Sequence, residues 1–548
     1  MNLYNLALSG LNASQAGLET TSHNINNQTT VGYTRQRVLT ATAGATPTGQ
    51  GFVGRGVKVD TIERQYDSFL YRQLVNSRGT GAEYTTQLDQ LSQINDFLSD
   101  RTVGITPALN EFFKSINSAA SSPADPAVRQ DLLGKANSLA TQLNSAYRQL
   151  QDQRDGLNTQ ISTTVEQVNS YLDRINQLNQ QIVVAQGKSG QPANDLLDQR
   201  DQAVSELNEL VGIRYYEQNG SVTITLQGGQ TLLSGTTVRP LKAVPSEADP
   251  RRTALAYDTP AGGGTTVTVE LSDSEVSGGK LGGLLAFRRD SLDPIQNQLG
   301  QLAVGLAMAV NEQHAQGIDL NGDAGEPMFS LAAPAALANS KNAGTAGLTA
   351  EYTDANQIKA SAYKIVFDGA DYQVTRLSDG QAFTSTPDAT TGALEFDGLS
   401  ITPSGVPAPG DSWQLEGTRD AARDIAVVIS DPAKLALADA SGGTSNGNNG
   451  LALANLQTAK VLGNGTMSLN ESFSTMVNNV GVQTQRLQSS SKAQSDLIDQ
   501  QYAAQQSVSG VNLDEEYVNL QIYQTQYQAS AKILEIAGTV FDALLGLR

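Results

Sequence analysis

Asn512 to Leu547 reads NLDEEYVNLQIYQTQYQASAKILEIAGTVFDALLGL, and its periodicity decides the fold. Large apolar residues recur every seven positions at Leu513, Leu520, Tyr527, Leu534 and Phe541. A second row, Tyr523, Ser530, Ala537 and Leu544, follows three places behind, so the pair forms a two-row helical seam. Asn512 supplies an N-cap, Glu515 stands where it could reach back to it, and Asp514 to Glu516 favour the positive helix end. No proline interrupts the run, which as a helix would be about 54 Å long. A lone seam of this kind also describes an ordinary terminal helix packed on its own domain; the opposite end of the chain decides between the two.

The first 27 residues mirror it. Tyr4, Leu11, Leu18 and Ile25 are again seven apart, with Ala7, Ser14 and Thr21 as the second row. The small residues Ala7, Gly10, Ala13 and Gly17 let another helix approach closely, and only Glu19, Arg35 and Arg37 are charged in the first forty positions. Each glycine costs a free helix about 1 kcal/mol relative to alanine, so this segment needs a partner. Two weak seams at opposite ends are expected to pair with each other and with neighbouring subunits.

The residues of the first helix and of the loop after it carry a family resemblance. Ser9-Gly10-Leu11-Asn12-Ala13-Ser14-Gln15-Ala16, then His23-Asn24-Ile25-Asn26-Asn27 and Val31-Gly32-Tyr33-Thr34-Arg35-Gln36, resemble the N-terminal motif of bacterial flagellar axial proteins. The Gly-Tyr-Thr-Arg-Gln ending is similar to the hook-associated protein 1 (FlgK) family in particular, as are Ser509 to Glu516, Asn194 to Gly212, Leu281 to Phe287 and Asn321 to Glu326. The chain departs from the pattern at His23, where the family usually has Asn, and at Gln28-Thr29-Thr30. The resemblance implies a structural protein exported through the flagellar type III channel. It would form an adaptor ring joining hook to filament, at the hook–filament junction. Implied partners are further copies of the chain, hook protein, the next junction protein towards the filament, and a cytoplasmic export chaperone on the C-terminal helix. The implied motif residues are Asn24, Ile25, Asn26, Gly32, Tyr33, Thr34 and Arg35.

Composition excludes several alternatives. At 548 residues the chain is expected to hold more than one domain. A net charge of −19 argues against nucleic acid, which requires clustered Lys and Arg. There is no cysteine for disulfide or thiol chemistry. The N-terminus lacks the basic and continuously apolar regions of a Sec-type signal peptide, and no run approaches the 18 apolar residues of a membrane span.

Read in order, the chain runs outward and returns, which predicts an α+β multidomain fold: a long helical bundle or coiled-coil core made by both termini and their flanks, with β-rich domains inserted in the middle. Residues 1–60 are expected to hold the N-terminal helix and motif loop, ending in a Gly/Thr-rich link, and 61–212 the first part of the bundle. Within the latter, helices are expected over Thr61 to Leu98, Pro107 to Ile116 and Ala127 to Gln186, and one capped by Asn194 to Leu210. At Gly212 the period changes from 3.6 to 2, placing a β-hairpin insertion over 213–280, with Asn219-Gly220 as the turn. Residues 281–345 return as a helix and loop. Residues 346–430 form a β-rich outer domain with strands at Tyr363 to Phe367, Tyr372 to Leu377, Leu394 to Ile401 and Trp413 to Leu415. Residues 431–506 resume the bundle after a flexible link at Ser441 to Gly450 and a capping box at Ser468-Glu471, and 507–548 form the terminal helix.

No catalytic or metal inventory survives inspection. Asp319-Leu320-Asn321-Gly322-Asp323 starts like an EF-hand loop, but Ala324 occupies the glycine position and Ser330 the bidentate glutamate position. Only His23 and His314 are present, which leaves no zinc set. Neither histidine lies in a Gly-x-Ser-x-Gly setting, and Gly262-Gly263-Gly264 lacks the Lys and Ser/Thr of a P-loop. No enzyme, cofactor or metal is expected. Another axial protein of the hook type, or a secreted adhesin or hydrolase, remain the rival readings.

Overall fold

A computed structural model describes residues 3–49, 51–99, 104–261 and 265–546. The fold is the expected α+β arrangement: helices at both chain ends, a long helical bundle beyond them, and β-rich modules inserted in the middle. Helix α1 (Leu3–Asn26) and the last helix lie side by side at one end. The bundle comprises α2 (Ser68–Leu98), α3 (Ile105–Ser121), α4 (Pro126–Ser189), α5 (Asn194–Leu210), α6 (Gly279–Phe287), α7 (Asp293–Ala315), α8 (Asn448–Asn455) and α9 (Leu469–Ser509). Helix α10 (Leu513–Leu545) then returns along α1.

Helix α4 is the spine. Asp125 caps it by accepting from Ala127 N, Pro126 sits where its missing N–H is harmless, and Gly190 closes it in the left-handed region at φ 67°. Its 64 residues span about 96 Å. The stripe Ile161, Val165, Val168, Leu172, Ile175, Leu178 and Ile182 is buried, as its three- and four-residue spacing implies. The polar face has a role that composition did not reveal. Asn158, Asn169 and Asn179, about three turns apart, each both donate to and accept from the backbone of the first β module, at Arg251/Thr253, Leu241 and Val222.

That module opens with the strand pair Ile213–Gln218 and Ser221–Leu226, whose two-residue turn has Asn219 at φ 53° and Gly220 at φ 76°. A three-stranded sheet follows, with Thr253–Ala261 between Leu241–Pro245 and Thr265–Leu271. Gly262 to Gly264 lie outside the described residues. The outer domain has a five-stranded antiparallel sheet, with Ala335–Ala338 and Ala382–Ser385 at its edges, and a three-stranded sheet of Gly347–Tyr352, Leu399–Ser404 and Leu394–Phe396. Trp413, Tyr363, Ile365, Leu394 and Ile401 form its core together with Val304 of α7.

Charged side chains fill the junction of these modules with α4 and α7. Arg419 pairs with Asp249 at 2.9 Å and Glu416 at 3.2 Å, and Arg251 with Asp420 at 2.9 Å. Arg288 pairs with Asp273 at 2.8 Å, and Arg154 of α4 pairs with Asp293 of α7.

Several local expectations are corrected. The helix placed over Thr61 to Leu98 begins at Ser68, capped by Asp67; Val57–Arg64 is a strand paired with Gln36–Thr42. The Gly/Thr-rich link is instead the tip of this two-stranded arm, with Ala45–Thr48 against Gly51–Gly54. Asn194 does not cap α5: its side chain donates to Ile62 O at 2.9 Å and Gln36 Oε1 at 3.1 Å. The return helix is broken by one π turn at Arg288–Leu292, where buried Arg288 turns to Asp273. Leu394 to Ile401 is two strands, because Asp397 and Gly398 turn the chain at φ 47° and 74°. The link at Ser441 to Gly450 is organised around the Asp439 carboxylate, which accepts from Ser441, Asn446 and Asn448, and its last residues already belong to α8.

Candidate subunit interface of the terminal helices

Both terminal helices are read correctly as partners, but through the second of their two rows. On α1 the buried residues are Ala7, Ser14, Gly17, Thr20, Thr21 and Asn24. On α10 Glu516 and Ala537 are buried and Tyr523 and Ser530 half-buried, again seven apart. The axes come close because the contacts are small. A Cβ on Gly10 would stand 2.5 Å from Ser530 Oγ, and one on Gly17 would stand 2.5 Å from Tyr523 Cδ1. Glycine here is a steric requirement that outweighs its helix propensity.

The large-residue row therefore flanks the seam instead of filling it. Tyr4, Leu513, Tyr527 and Phe541 are exposed, Phe541 to 60%. Leu11, Leu18, Ile25, Leu520 and Leu534 are half-buried. The side chain of Leu544 lies outside the described residues. Along the other flank of α10 runs a second apolar stripe that the sequence reading did not single out: Val518, Ile522, Ile533, Ile536 and Val540, all exposed. Its steps of three and four, with the eleven-residue gap from Ile522 to Ile533 split seven and four by Ala529, were present in the sequence, but overlapped the stronger seven-residue rows.

At the base of the pair the motif residues close a polar clasp. Asn24, buried on α1, accepts at Oδ1 from Tyr33 Oη (2.7 Å) and Gln36 N (2.9 Å). Its Nδ2 donates to Gln36 O (2.9 Å) and to Glu516 Oε2 (3.2 Å). Arg35 donates from Nε to Glu516 and from Nη1 to Glu515, each at 2.6 Å, while Arg35 N donates to Ser509 O at 2.9 Å. Burial draws the Arg35 guanidinium down, and the two carboxylates more than reverse it. Burial, then the charges of Asp195, Asp198 and Glu516, push the Tyr33 phenol up, so it stays a donor. Glu515 thus serves Arg35 instead of reaching back to Asn512, whose side chain accepts from Asp514 N and Glu515 N.

The same loop is tied to the bundle through α5. Thr34 N donates to Asp198 Oδ2 at 2.9 Å, Gln36 Nε2 to Asp195 Oδ1 at 2.9 Å, and Arg64 bridges Asp198 and Asp201. His23 reaches Asp195 at 3.3 Å and meets the Tyr33 ring edge-on. Gly32, at φ 81°, turns the loop against Gln202. Of the motif residues, Asn26 is exposed and Ile25 half-buried; neither belongs to the clasp. The acidic α5 partners were legible as a resemblance block, though not as partners of Thr34 and Arg64.

The residues weighed for other chemistry are elsewhere. Asp319 Oδ1 accepts from Asn321 N and Asp323 N, an Asx turn, and among the described residues no three His, Cys, Asp or Glu side chains are grouped to hold a metal. His314 is fully buried, receiving Ala436 N at Nε2 and meeting Glu326 O at Nδ1. No helix among the described residues is long and apolar enough to cross a membrane.

Comparison with known proteins accords with the terminal motifs and the module order. The model of the flagellar hook-associated protein FlgK helical domain matches residues 91–329. The flagellar hook-associated protein 1 D2-like domain matches residues 337–417, and the flagellar basal body rod FlgEFG C-terminal model matches residues 502–547. Flagellar hook-associated protein 1 of Salmonella typhimurium is 43% identical over 557 residues, covering 100% of both chains. That of Escherichia coli K12 is 42% identical over 550 residues with the same coverage. The flagellar hook junction protein FlgK of Burkholderia pseudomallei superposes with a TM-score of 0.75 at 30% identity, covering 80% of this chain and 100% of that one. The chain belongs to the flagellar hook-associated protein 1 (FlgK) family.

Proposed function

We propose that this chain is a structural component of the flagellum that assembles through its terminal helices into the adaptor ring joining hook to filament. The observation that carries the reading is the surface of α10. One face rests on α1, while Val518, Ile522, Ile533, Ile536 and Val540 on one flank and Leu513, Tyr527 and Phe541 on the other stay in solvent. Apolar surface of that extent on a soluble chain marks an interface. Its length and helical form suit the same face of further subunits, with hook protein below and the next junction protein above. The clasp then fixes the angle at which each terminal pair leaves its bundle, and the β modules, inserted far from the chain ends, project outward.

The type III route follows from the family, with the chain crossing unfolded and without cysteine to cross-link on the way. Before export the flanks of α10 need cover, and a cytoplasmic chaperone on that helix supplies it. The hook-type reading is weaker, because the matching helical-domain model is that of the hook-associated protein. The test is complementation of a strain lacking the chain. The full chain is expected to restore filaments, whereas a chain ending before Asn512 is expected to leave bare hooks and flagellin in the medium. Filaments grown on the truncated chain would overturn the reading.

A further inference from the structure

The two-stranded arm between α1 and α2 has an exposed tip, whose strands Ala45–Thr48 and Gly51–Gly54 pair with each other, and among the described residues no other element packs on them extensively. Its base is anchored: Val57 N donates to Ser9 Oγ at 3.3 Å, and a Cβ on Gly56 would strike Ser9. Beyond the base, a Cβ added to Gly44, Gly49, Gly51 or Gly54 would meet nothing within 4 Å apart from its chain neighbours. Phe52 is 80% exposed and Val53 46%. A lone two-stranded hairpin is marginally stable in water, and an aromatic ring left on its tip adds an unfavourable hydrated surface.

At the foot of the same arm lies an open groove of about 560 Å³, walled by Val59 and Ile62 of the strand and by Pro192, Ala193 and Leu196 before and within α5. Gln191 and Asn194 close its floor by donating to Asp60 O and Ile62 O, and the Thr61 hydroxyl is buried there without a partner. The groove accommodates one aromatic side chain with room to spare. Arg55 is the only charged residue between Val38 and Val57, while at the groove stand two exposed carboxylates, Asp60 paired with Lys58 at 3.0 Å and Asp195 accepting from Gln36 Nε2 at 2.9 Å, each with a further oxygen open to a second donor. Tip and groove are on the order of 20 Å apart along one extended arm, so a chain cannot fill its own groove.

The geometry points to a head-to-tail contact between copies of this chain, in which Phe52 of one arm enters the groove beside Ala193 of the next. This rests on the adaptor-ring reading and names a second seam of that ring, at the arm instead of at α10. A heterologous contact repeated in one direction closes into a ring when the rotation per subunit allows.

Because the chain has no cysteine, the contact can be tested by Phe52→Cys combined with Ala193→Cys in full-length protein assembled on cells. Oxidised, isolated hooks with filaments are expected to yield a ladder of cross-linked multimers of this chain from the double variant only. Swimming is expected to be lost in Phe52→Asp and retained in Phe52→Trp, with the monomer melting unchanged in both, since the Phe52 side chain is 80% exposed. If antibody labelling places the double variant at the hook tip beneath normal filaments and no ladder forms, the arm contact is wrong and the adaptor reading stands. If the chain is absent from the hook tip, the adaptor reading itself falls. Cross-linking of Phe52→Cys to a different protein would overturn the assignment of a second copy as occupant.

Discussion

Arg35 and Glu516, 481 positions apart in sequence, meet through a 2.6 Å hydrogen bond from Nε to a carboxylate that is 1% exposed. With Asn24, which also donates to Glu516, this pair joins the loop after α1 to the first turn of α10, and so helps couple the two chain ends to each other. Removing one partner of a buried pair strands the other and costs about 3–5 kcal/mol, whereas an exposed pair such as Arg35–Glu515 is worth under about 1 kcal/mol. Glu516→Ala is therefore expected to release α10 from α1, read as fast amide exchange from Leu513 to Ala537 with the bundle still protected. Glu515→Ala is expected to leave exchange there nearly unchanged. Equal effects from both would show that the clasp is electrostatic at long range and not a buried contact.

Gly17 and Tyr523 give a steric test of the seam. Gly17→Ala raises intrinsic helix propensity by about 1 kcal/mol, so on an isolated helix it would stabilise. Here its Cβ would meet the Tyr523 ring at 2.5 Å, and overpacking of this kind costs about 1–3 kcal/mol. The variant is expected to weaken the pairing of α1 with α10 by exchange measurements, and Tyr523→Ala in the same chain is expected to recover part of the loss. Additive effects in the double variant would mean that the two residues are not in contact.

How much of this was legible in sequence depends on which physical signal dominates at each place. The α4 stripe from Ile161 to Ile182 and the Asn219-Gly220 hairpin were readable because periodicity and turn chemistry are local. The terminal pairing was readable as well, but not that the small-residue row of the two would be the one to meet the partner helix within one chain. Large apolar residues signal burial only where there is room, and glycines facing Ser530 and Tyr523 left none. The clasp was half legible: the motif named Asn24, Tyr33, Thr34 and Arg35, but nothing local distinguishes a first-turn carboxylate that completes a helix dipole from one that crosses to Arg35. Asn194 failed for the same reason, since a good capping residue was taken up by a strand some 130 positions earlier. The arm hid behind its own composition, because Gly and Thr read as a link whether or not they pair.

His314 predicts a pH dependence of the bundle. Buried against Glu326 O and Ala436 N, it is held below its ordinary pKa, chiefly by burial. Its unfolded form takes up a proton first, near pH 6.5, so the unfolded state binds more protons once pH falls below that value. Stability contributed by neutral His314 is thus complete above about pH 6.5, falls as pH drops towards the lower folded value, and levels off beneath it. Melting from pH 7.5 to 5 is expected to show this decline, and His314→Asn is expected to lower stability at pH 7.5 but flatten the slope. An unchanged slope would place its origin in the carboxylates.

Arg419 tests how the outer domain is held. It lies between Asp249 and Glu416, each 1% exposed at the side chain. Arg419 and Arg251 hold the Asp249 carboxyl below its ordinary range against the effect of burial, while burial pushes Glu416 up. Arg419→Met keeps the packing stem and removes the charge, leaving two carboxylates with too few donors, at a cost of about 3–5 kcal/mol. Calorimetry is expected to show the unfolding transition several degrees lower, and Glu416→Gln in the same chain is expected to recover part of the loss. No change on Arg419→Met would mean that the junction is held by apolar packing on α7 alone.

Ile536 and Ala537, adjacent in α10 and about 100° apart around it, separate folding of the terminal pair from its assembly. Ala537 is 8% exposed and belongs to the row that meets α1, whereas Ile536 is 50% exposed on the open flank. Ala537→Asp puts a carboxylate into the intramolecular seam, where an unpaired buried charge cannot be accommodated, so the helix is pushed off α1 in the monomer itself. Ile536→Asp meets only water in the monomer and is expected to leave both the melting temperature and the exchange of α1 untouched. In the proposed ring every copy would carry the same carboxylate at the same contact, so assembly is expected to fail, with monomer and flagellin released into the medium. Ile536→Leu, with volume and apolarity retained, is expected to keep filaments. Leu534→Asp, half-buried at the edge of the seam, is expected to show both defects in weaker form. If Ile536→Asp cells grow normal filaments, the open flank is not a subunit contact. If Ala537→Asp leaves α1 exchange unchanged, the small-residue row is not what holds the two ends together.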